Sequence, residues 1–280
     1  AEDSDTSRAS QQFFAEKLQT CEGASEIPAD LPKTDRQGVI GEAVCPIPFE
    51  TLGRQRSTLN SQFSTFITPA HLLLAATGYV VSRYTNNREA WLCTVSSGRS
   101  NLKIAETAGM FVNTLALGIN VGDVTVSDFL RQTSETIDET LSHEDYPFAR
   151  IAADFDFRPA IAYAYQVGVL SQYSVGDKSV SQELLDLNVP MFKINIKIED
   201  RGVVVEYDDS IYSDRLGQAL AESIVAVAER MMAQPQMKVR QLSIVSKNQE
   251  DELFALRQTA TGDAPFKFFH DCISHFAQTD

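Results

Sequence analysis

Residues 109–117 read Gly-Met-Phe-Val-Asn-Thr-Leu-Ala-Leu, and residues 143–148 read His-Glu-Asp-Tyr-Pro-Phe. Met110 to Leu117 is an apolar run of strand length. Asn113 sets an amide inside it, and a buried amide is costly unless its hydrogen bonds are met. The second stretch gathers an imidazole, two carboxylates and two aromatic rings at the end of a helix. Pro147 makes that end definite, because the residue before a proline is pushed out of helical geometry. Both stretches admit two readings: a buried polar network kept for fold specificity, or groups that face a substrate.

Between them, Ser127 is placed to cap a helix with Leu130, Thr133, Ile137 and Leu141 on one face, and Asp128 suits the positive end of its dipole. Upstream, Thr68 as N-cap and Pro69 at the first helical position open a buried helix to about Tyr84, carrying Leu72, Leu73, Ala76, Tyr79 and Val80 at helical spacing. Trp91 to Val95 follows as a strand closed by Ser96-Ser97-Gly98-Arg99. The first ten residues are polar and read as loose. Gln11 to Leu18 reads as a short helix, and residues 22–48 hold too many Gly and Pro for a long regular element.

Downstream, Ala160 to Leu170 alternates, with Ile161, Tyr163, Tyr165, Val167 and Val169 on one side. Phe192, Ile194, Ile196 and Ile198 alternate with Lys193, Asn195 and Lys197, a half-buried strand. Val203 to Tyr207 is its hairpin partner across Glu199-Asp200-Arg201-Gly202. Ser213 caps a helix from Asp214 to Ala233. Helices and strands alternate without an internal repeat, which predicts an α/β class fold. Past Pro235, Val239 to Val245 reads as extended, Asn248 to Leu256 as a helix, and Thr259 to Pro265 as a polar break. Phe268 to Ala277 reads as a further helix with an aromatic face.

Composition narrows the class. The 280 residues are 43% hydrophobic and 22% charged, with a net charge of -14. Disorder is excluded by the apolar fraction, and no run approaches the roughly 18 residues of a spanning helix. So acidic a chain repels phosphate, and no Lys/Arg cluster offsets this, so nucleic acid and anionic membrane are not expected partners. Cys21, Cys45, Cys93 and Cys272 form no Cys-x-x-Cys pair and read as reduced thiols of a cytoplasmic protein. The chain opens Ala1-Glu2-Asp3 without an initiator Met or signal pattern, which reads as an excerpt.

Four histidines bound the chemistry. His71, His143, His270 and His275 start no His-x-x-x-Asp or His-Glu-x-x-His pattern, and His270 and His275 are five apart, off the spacing of paired helical ligands. His71, on an apolar helix, reads as a hydrogen-bonded core residue. No phosphate loop, dinucleotide fingerprint or nucleophile elbow is present. Neither a metal site nor a catalytic residue is expected. Asp208-Asp209 and Glu250-Asp251-Glu252 read as solvated faces.

On the two opening stretches the chain resembles the C-terminal half of condensation domains of nonribosomal peptide synthetases. That family carries Gly-x-Phe-Val-Asn-Thr-Leu, matched by Gly109, Phe111, Val112, Asn113, Thr114 and Leu115. About thirty residues on it carries His-Gln-Asp-Tyr-Pro-Phe-Glu, matched by His143, Asp145, Tyr146, Pro147 and Phe148. Further likeness lies in Gln12 to Leu18, Ile27 to Lys33, Leu72 to Tyr84 and Gly98-Arg99. The departures are Ala108, Gly118 in place of the usual Arg, Glu144 in place of Gln, and Ala149 in place of Glu. The usual Arg-Asp-x-Ser-Arg-Asn pattern is not recognisable near Arg158-Pro159.

The resemblance implies a chloramphenicol acetyltransferase-like lobe, an α+β sandwich with a mixed sheet flanked by helices, and a parent that forms an amide bond between aminoacyl or peptidyl thioesters tethered to carrier proteins. The expected organisation is a loose segment at 1–10, the condensation-domain C-terminal lobe at 11–235, a linker at 236–262 and the first helix of an adenylation domain at 263–280. The family's His-His-x-x-x-Asp-Gly belongs to the N-terminal lobe and is not in this chain. What remains is expected to form tunnel wall, a floor near residues 98 to 115, and an arm within 170 to 190. Asn113 becomes a floor or hinge residue, and His143 with Asp145 a polar lock. The implied partners are the N-terminal lobe, donor and acceptor peptidyl carrier proteins bearing 4′-phosphopantetheine, and an adenylation domain. Two alternatives compete: a non-catalytic docking module for a carrier or adenylation domain, and part of a free-standing acyltransferase, which the tail at 236–280 argues against.

Overall fold

A computed structural model describes residues 5–19, 21, 23–47, 67–100, 107–168, 173–180, 189–259 and 270. In chain order the elements are α1 (Asp5–Leu18), β1 (Ile40–Cys45), α2 (Pro69–Thr85), β2 (Glu89–Ser96), β3 (Asn113–Asn120), α3 (Val126–Leu141), α4 (Phe148–Phe155), β4 (Ile161–Tyr165), β5 (Tyr173–Val175), β6 (Lys178–Val180), β7 (Ile194–Glu199), β8 (Gly202–Asp208), α5 (Asp214–Ala233) and α6 (Lys247–Thr259).

Six strands form one mixed sheet in the order β1-β8-β7-β4-β2-β3. β4 runs parallel to both β2 and β7, and the other pairings are antiparallel. This is the expected α+β sandwich. The hairpin β7–β8 has the predicted turn, with Glu199 opposite Gly202. Ile194, Ile196 and Ile198 are fully buried, as their alternation requires. α2 has the predicted Thr68 cap, whose side chain accepts from His71 N while the His71 ring accepts from Thr68 N. His71 is thus a capping-box residue, and Ser134 Oγ lies 3.1 Å from its Nδ1. α5 begins and ends where predicted, with Ser213 as its cap.

Two cores result. Leu92, Leu117 and Ile119 join α2, α3 and α5 in the larger one. Trp91 and Ala116, whose neighbours in the strand turn the other way, pack with Phe14 of α1 and Ile151 of α4 in the smaller.

Several expectations are corrected. The first ten residues are not loose throughout, since α1 already starts at Asp5 and Ser10 is buried against His143. β3 starts at Asn113 and not Met110, and it runs through Gly118 to Asn120. Thr125, not Ser127, caps α3; the Ser127 hydroxyl donates instead to Pro235 O (2.9 Å). β4 stops at Tyr165, which is exposed. Residues 239–241 form a 3-10 turn where an extended piece was expected. Residues 236–244 belong to the compact unit Ala1–Ile244, held by Tyr79 Oη donating to Leu242 O (2.7 Å) and Val239 N donating to Val124 O (3.0 Å). Asp209 is no solvated face: it accepts from Arg36 Nη1 (3.0 Å) and Val39 N (2.8 Å).

The second unit is Val245–Asp280, whose α6 contains the predicted helix at 248–256. The polar break at 259–265 and the helix expected at 268–277 lie outside the described residues, apart from Thr259, the last residue of α6, and His270. Within the expected arm at 170–190, β5 and β6 form an antiparallel hairpin. Among the described residues no helix is long and apolar enough to cross a membrane, and no cluster of three metal-ligating side chains occurs.

Candidate functional site

Asn113 joins the two stretches on which the sequence reading turned. As the first residue of β3 its side chain is half-buried, and its amide Nδ2 donates to Glu144 O (2.8 Å) and Tyr146 O (2.7 Å). Its Oδ1 accepts from Phe148 N (3.2 Å) and from Thr114 N (3.0 Å). Phe148 is the first residue of α4, and Pro147 before it has no side chain able to cap a helix. Asn113 therefore supplies, from a strand 35 residues away, an acceptor for the first of the N–H groups that a helix start leaves without an intrahelical partner. The costly amide foreseen in a buried strand is satisfied by a helix entrance.

His143 and Tyr146 anchor the same segment to α1. His143 stacks on Phe13 with ring centroids 4.2 Å apart, and Ser10 Oγ lies 2.9 Å from its Nδ1. Burial lowers the imidazole's pKa, opposed by the nearby Glu139 carboxylate. Tyr146 stacks on Phe14 at 5.7 Å and its hydroxyl donates to Asp154 Oδ2 (3.2 Å). Asp145 does not join this lock. It is exposed, and its carboxylate makes no hydrogen bond among the described residues. The buried carboxylate is its neighbour Glu144, 8% exposed.

Glu144 accepts from the hydroxyls of Ser96 and Ser100 and from Ser100 N (3.3 Å). Burial pushes its carboxyl upward, but the bonds from Ser100 and Ser96 outweigh that and hold it below the ordinary range. Sequence reasoning missed this residue and both serines. The only signal was an acid at a position where the resembling family has an amide, facing a serine-rich strand end 44 residues away. Because the folded pKa is depressed, the charge stabilises fully above the ordinary carboxylate range, and that contribution is lost as pH falls through the folded pKa. Glu144→Gln should therefore lower stability by about 1 kcal/mol at pH 7, since bonds to a charged acceptor are the stronger kind. In urea titrations the gap between the two proteins should close as pH is taken down through that range.

The segment before β3 is held from the end of β2. Arg99 lies over the Phe111 ring at 4.7 Å and donates to Thr107 O (2.7 Å) and Gly109 O (2.9 Å). Gly98, at φ +64, brings its Cα against Phe111 O, where an added Cβ would lie 2.0 Å away. Met110 (89% exposed) and Val112 (54%) are left facing outward, an apolar lip beside the network. Thr114 sits half-buried as the second residue of β3. Of the first stretch, Asn113 alone bonds to the second, at Glu144 O, Tyr146 O and Phe148 N, while Gly109 and Phe111 are held by Arg99. No nucleophile, base and acid converge among these residues. The arrangement positions backbone.

Comparison with known proteins follows the same lines. The family model described as "Condensation domain" matches residues 2–254. Tyrocidine synthase 3 of Brevibacillus parabrevis is 24% identical over 240 residues, 81% of this chain and 4% of that protein. Bacitracin synthase 2 of Bacillus licheniformis is 21% identical over 266 residues, 90% of this chain and 10% of that protein. Among solved structures, a four-domain nonribosomal peptide synthetase bound to AMP and glycine superposes with a TM-score of 0.73 at 19% identity, over 88% of this chain and 21% of that one. The condensation domain of monacolin K polyketide synthase superposes at 0.66 and 17% identity, over 83% of this chain and 58% of that one. The chain thus spans a small part of its curated relatives' length.

Proposed function

This chain belongs to the condensation-domain family, and from that membership we propose that it is the C-terminal lobe of a domain that forms an amide bond between two carrier-tethered thioester substrates. The observation that carries the proposal is the Asn113 junction, which draws both family segments into one half-buried network. Coverage supports the single-lobe reading: most of this chain lies on only 54–58% of the isolated condensation-domain and X-domain chains it superposes on.

In this reading the lobe binds and orients. The acceptor amine attacks the donor thioester carbonyl, the tetrahedral intermediate collapses, and the carrier's thiol leaves. Holding the two 4′-phosphopantetheine arms in reach of each other turns a bimolecular encounter into an effectively intramolecular one. The lip at residues 107–112, pinned by Arg99 and Gly98, forms floor, and the network behind Asn113 keeps it in place. The family's His-His-x-x-x-Asp-Gly comes from a separate N-terminal lobe. Donor and acceptor carrier proteins and an adenylation domain are the further partners, with the adenylation domain entered through residues 245–280, and the protein works in the cytoplasm.

The partner lobe gives the test. Calorimetric titration of the 280-residue chain with a condensation-domain N-terminal lobe that carries His-His-x-x-x-Asp-Gly should show one-to-one binding at about 10 µM or tighter, within the range that standard-sized interfaces reach. Absence of association would contradict the single-lobe assignment.

A further inference from the structure

One residue of β2 breaks the burial of its strand. From Ala90 to Ser96 every side chain is buried except Val95, which is 44% exposed. Being three residues from Leu92, Val95 lies on the sheet face turned away from the larger core. Trp91 and Cys93 precede it on that face. Trp91 packs in the smaller core with Phe14 and Ile151, and Cys93 is fully buried. The cover that α1 and α4 give this face at Trp91 ends before Val95.

The strand register identifies the neighbours of Val95. Thr114 of β3 is opposite it, and Ala164 of β4 is beside it, one step past the paired Thr94 and Tyr163; both are small and half-buried. The β2–β3 register continues past Asn113, since Gly98 lies against Phe111, and this makes Val112 the diagonal neighbour of Val95. Val112 is 54% exposed. An apolar strip of Val95 and Val112, with Thr114 and Ala164 as its shallow floor, thus runs from the lip onto the sheet. Lys197, opposite Ala164, bounds it, with its ammonium paired to Glu199 and Glu206.

Size and charge select the occupant. A standard interface takes about 800 Å² from each protein partner, and two exposed valines offer only a fraction of that. The strip suits a single side chain. Lys197 is neutralised by two carboxylates and leaves no charge over to attract an ion, and burying an ion against valine is costly. An apolar group fits.

The strip adjoins the lip that the proposed amide-forming reaction places beneath its thioesters. Resting on that reading, we propose that Val95 is a specificity-determining residue: the strip receives the apolar side chain of one aminoacyl substrate, and the bulk at position 95 sets the size accepted.

The test is competition in the reconstituted reaction. The 280-residue chain, the lobe bearing His-His-x-x-x-Asp-Gly and the carrier proteins are supplied with equal amounts of alanyl, leucyl, phenylalanyl and aspartyl groups, first on the acceptor and then on the donor, and the amides are quantified by mass spectrometry. At one of the two positions the unaltered chain should favour leucyl over aspartyl by at least about tenfold. Val95→Phe should shift the product ratio there about tenfold from phenylalanyl toward alanyl, and Val95→Ala about tenfold the other way, as changes of this size in an apolar site do. Both variants should melt close to the unaltered chain, because the side chain is exposed. Either variant decides the matter if the other misfolds. Ratios that neither substitution moves at either position, or no preference for leucyl over aspartyl, would overturn the inference while leaving the reaction standing. Absence of amide with the unaltered chain and the second lobe would overturn both.

Discussion

Asn113→Ala should be among the most damaging single substitutions in the chain, with a loss of about 3 kcal/mol read from the shift in urea midpoint at unchanged slope. The truncation removes two bonds to carbonyls and one to the first N–H of α4 at once. Each bond contributes about 1 kcal/mol net, and each partly buried group left unpaired adds to the cost. Asn113→Asp separates geometry from shape. A carboxylate keeps the acceptor for Phe148 N but presents oxygens to the carbonyls of Glu144 and Tyr146, so it should be no better than Ala. A near-wild-type Asn113→Asp protein would mean that the two carbonyls are satisfied in another way.

Gly98→Ala is the second large effect. The residue sits at φ +64, where a side chain costs about 1 kcal/mol or more. Its Cβ would also lie 2.0 Å from the Phe111 carbonyl oxygen, a backbone atom that no rotamer change can move. Relief requires the chain at 107–112 to shift, which breaks the Arg99 bonds to Thr107 O and Gly109 O. We expect a loss of about 3 kcal/mol in urea denaturation, in the range of strain at a special backbone position. Faster amide exchange should be confined to the neighbourhood of residues 107–112. An unchanged midpoint would show that the lip is not held against Gly98.

The elements legible in the sequence are those whose signals are local. Ser213, the periodic run behind it and a final Ala233 lie within one helix, and α5 has the predicted bounds. The β7–β8 hairpin is written in alternation plus a four-residue turn, and α2 in a cap followed by Pro69. What escaped was decided at long range. Met110, Phe111 and Val112 look like the start of a strand, yet β3 begins at Asn113 because Gly98 and Arg99 hold the preceding residues as a lip. Asp5 to Ser10 look loose until His143, 133 positions beyond Ser10, gives that helix a partner. Ser127 and Thr125 are both competent caps, and Pro235 O takes the serine hydroxyl.

The same division runs through the candidate site. Asn113, His143 and Tyr146 were identifiable because an amide in an apolar run, and a His, Tyr and Pro at one helix end, are unusual locally. Glu144 was passed over for Asp145, and only the fold shows that Ser96 and Ser100 face the first and that solvent faces the second.

The central claim is that these residues orient a reaction whose proton-handling group resides on another lobe. The direct measurement is amide formation followed by mass spectrometry, with donor and acceptor carrier proteins loaded through 4′-phosphopantetheine. The 280-residue chain alone should yield no amide, and addition of the lobe bearing His-His-x-x-x-Asp-Gly should start turnover. Turnover by the 280-residue chain alone, at a rate the second lobe does not raise, would contradict the account.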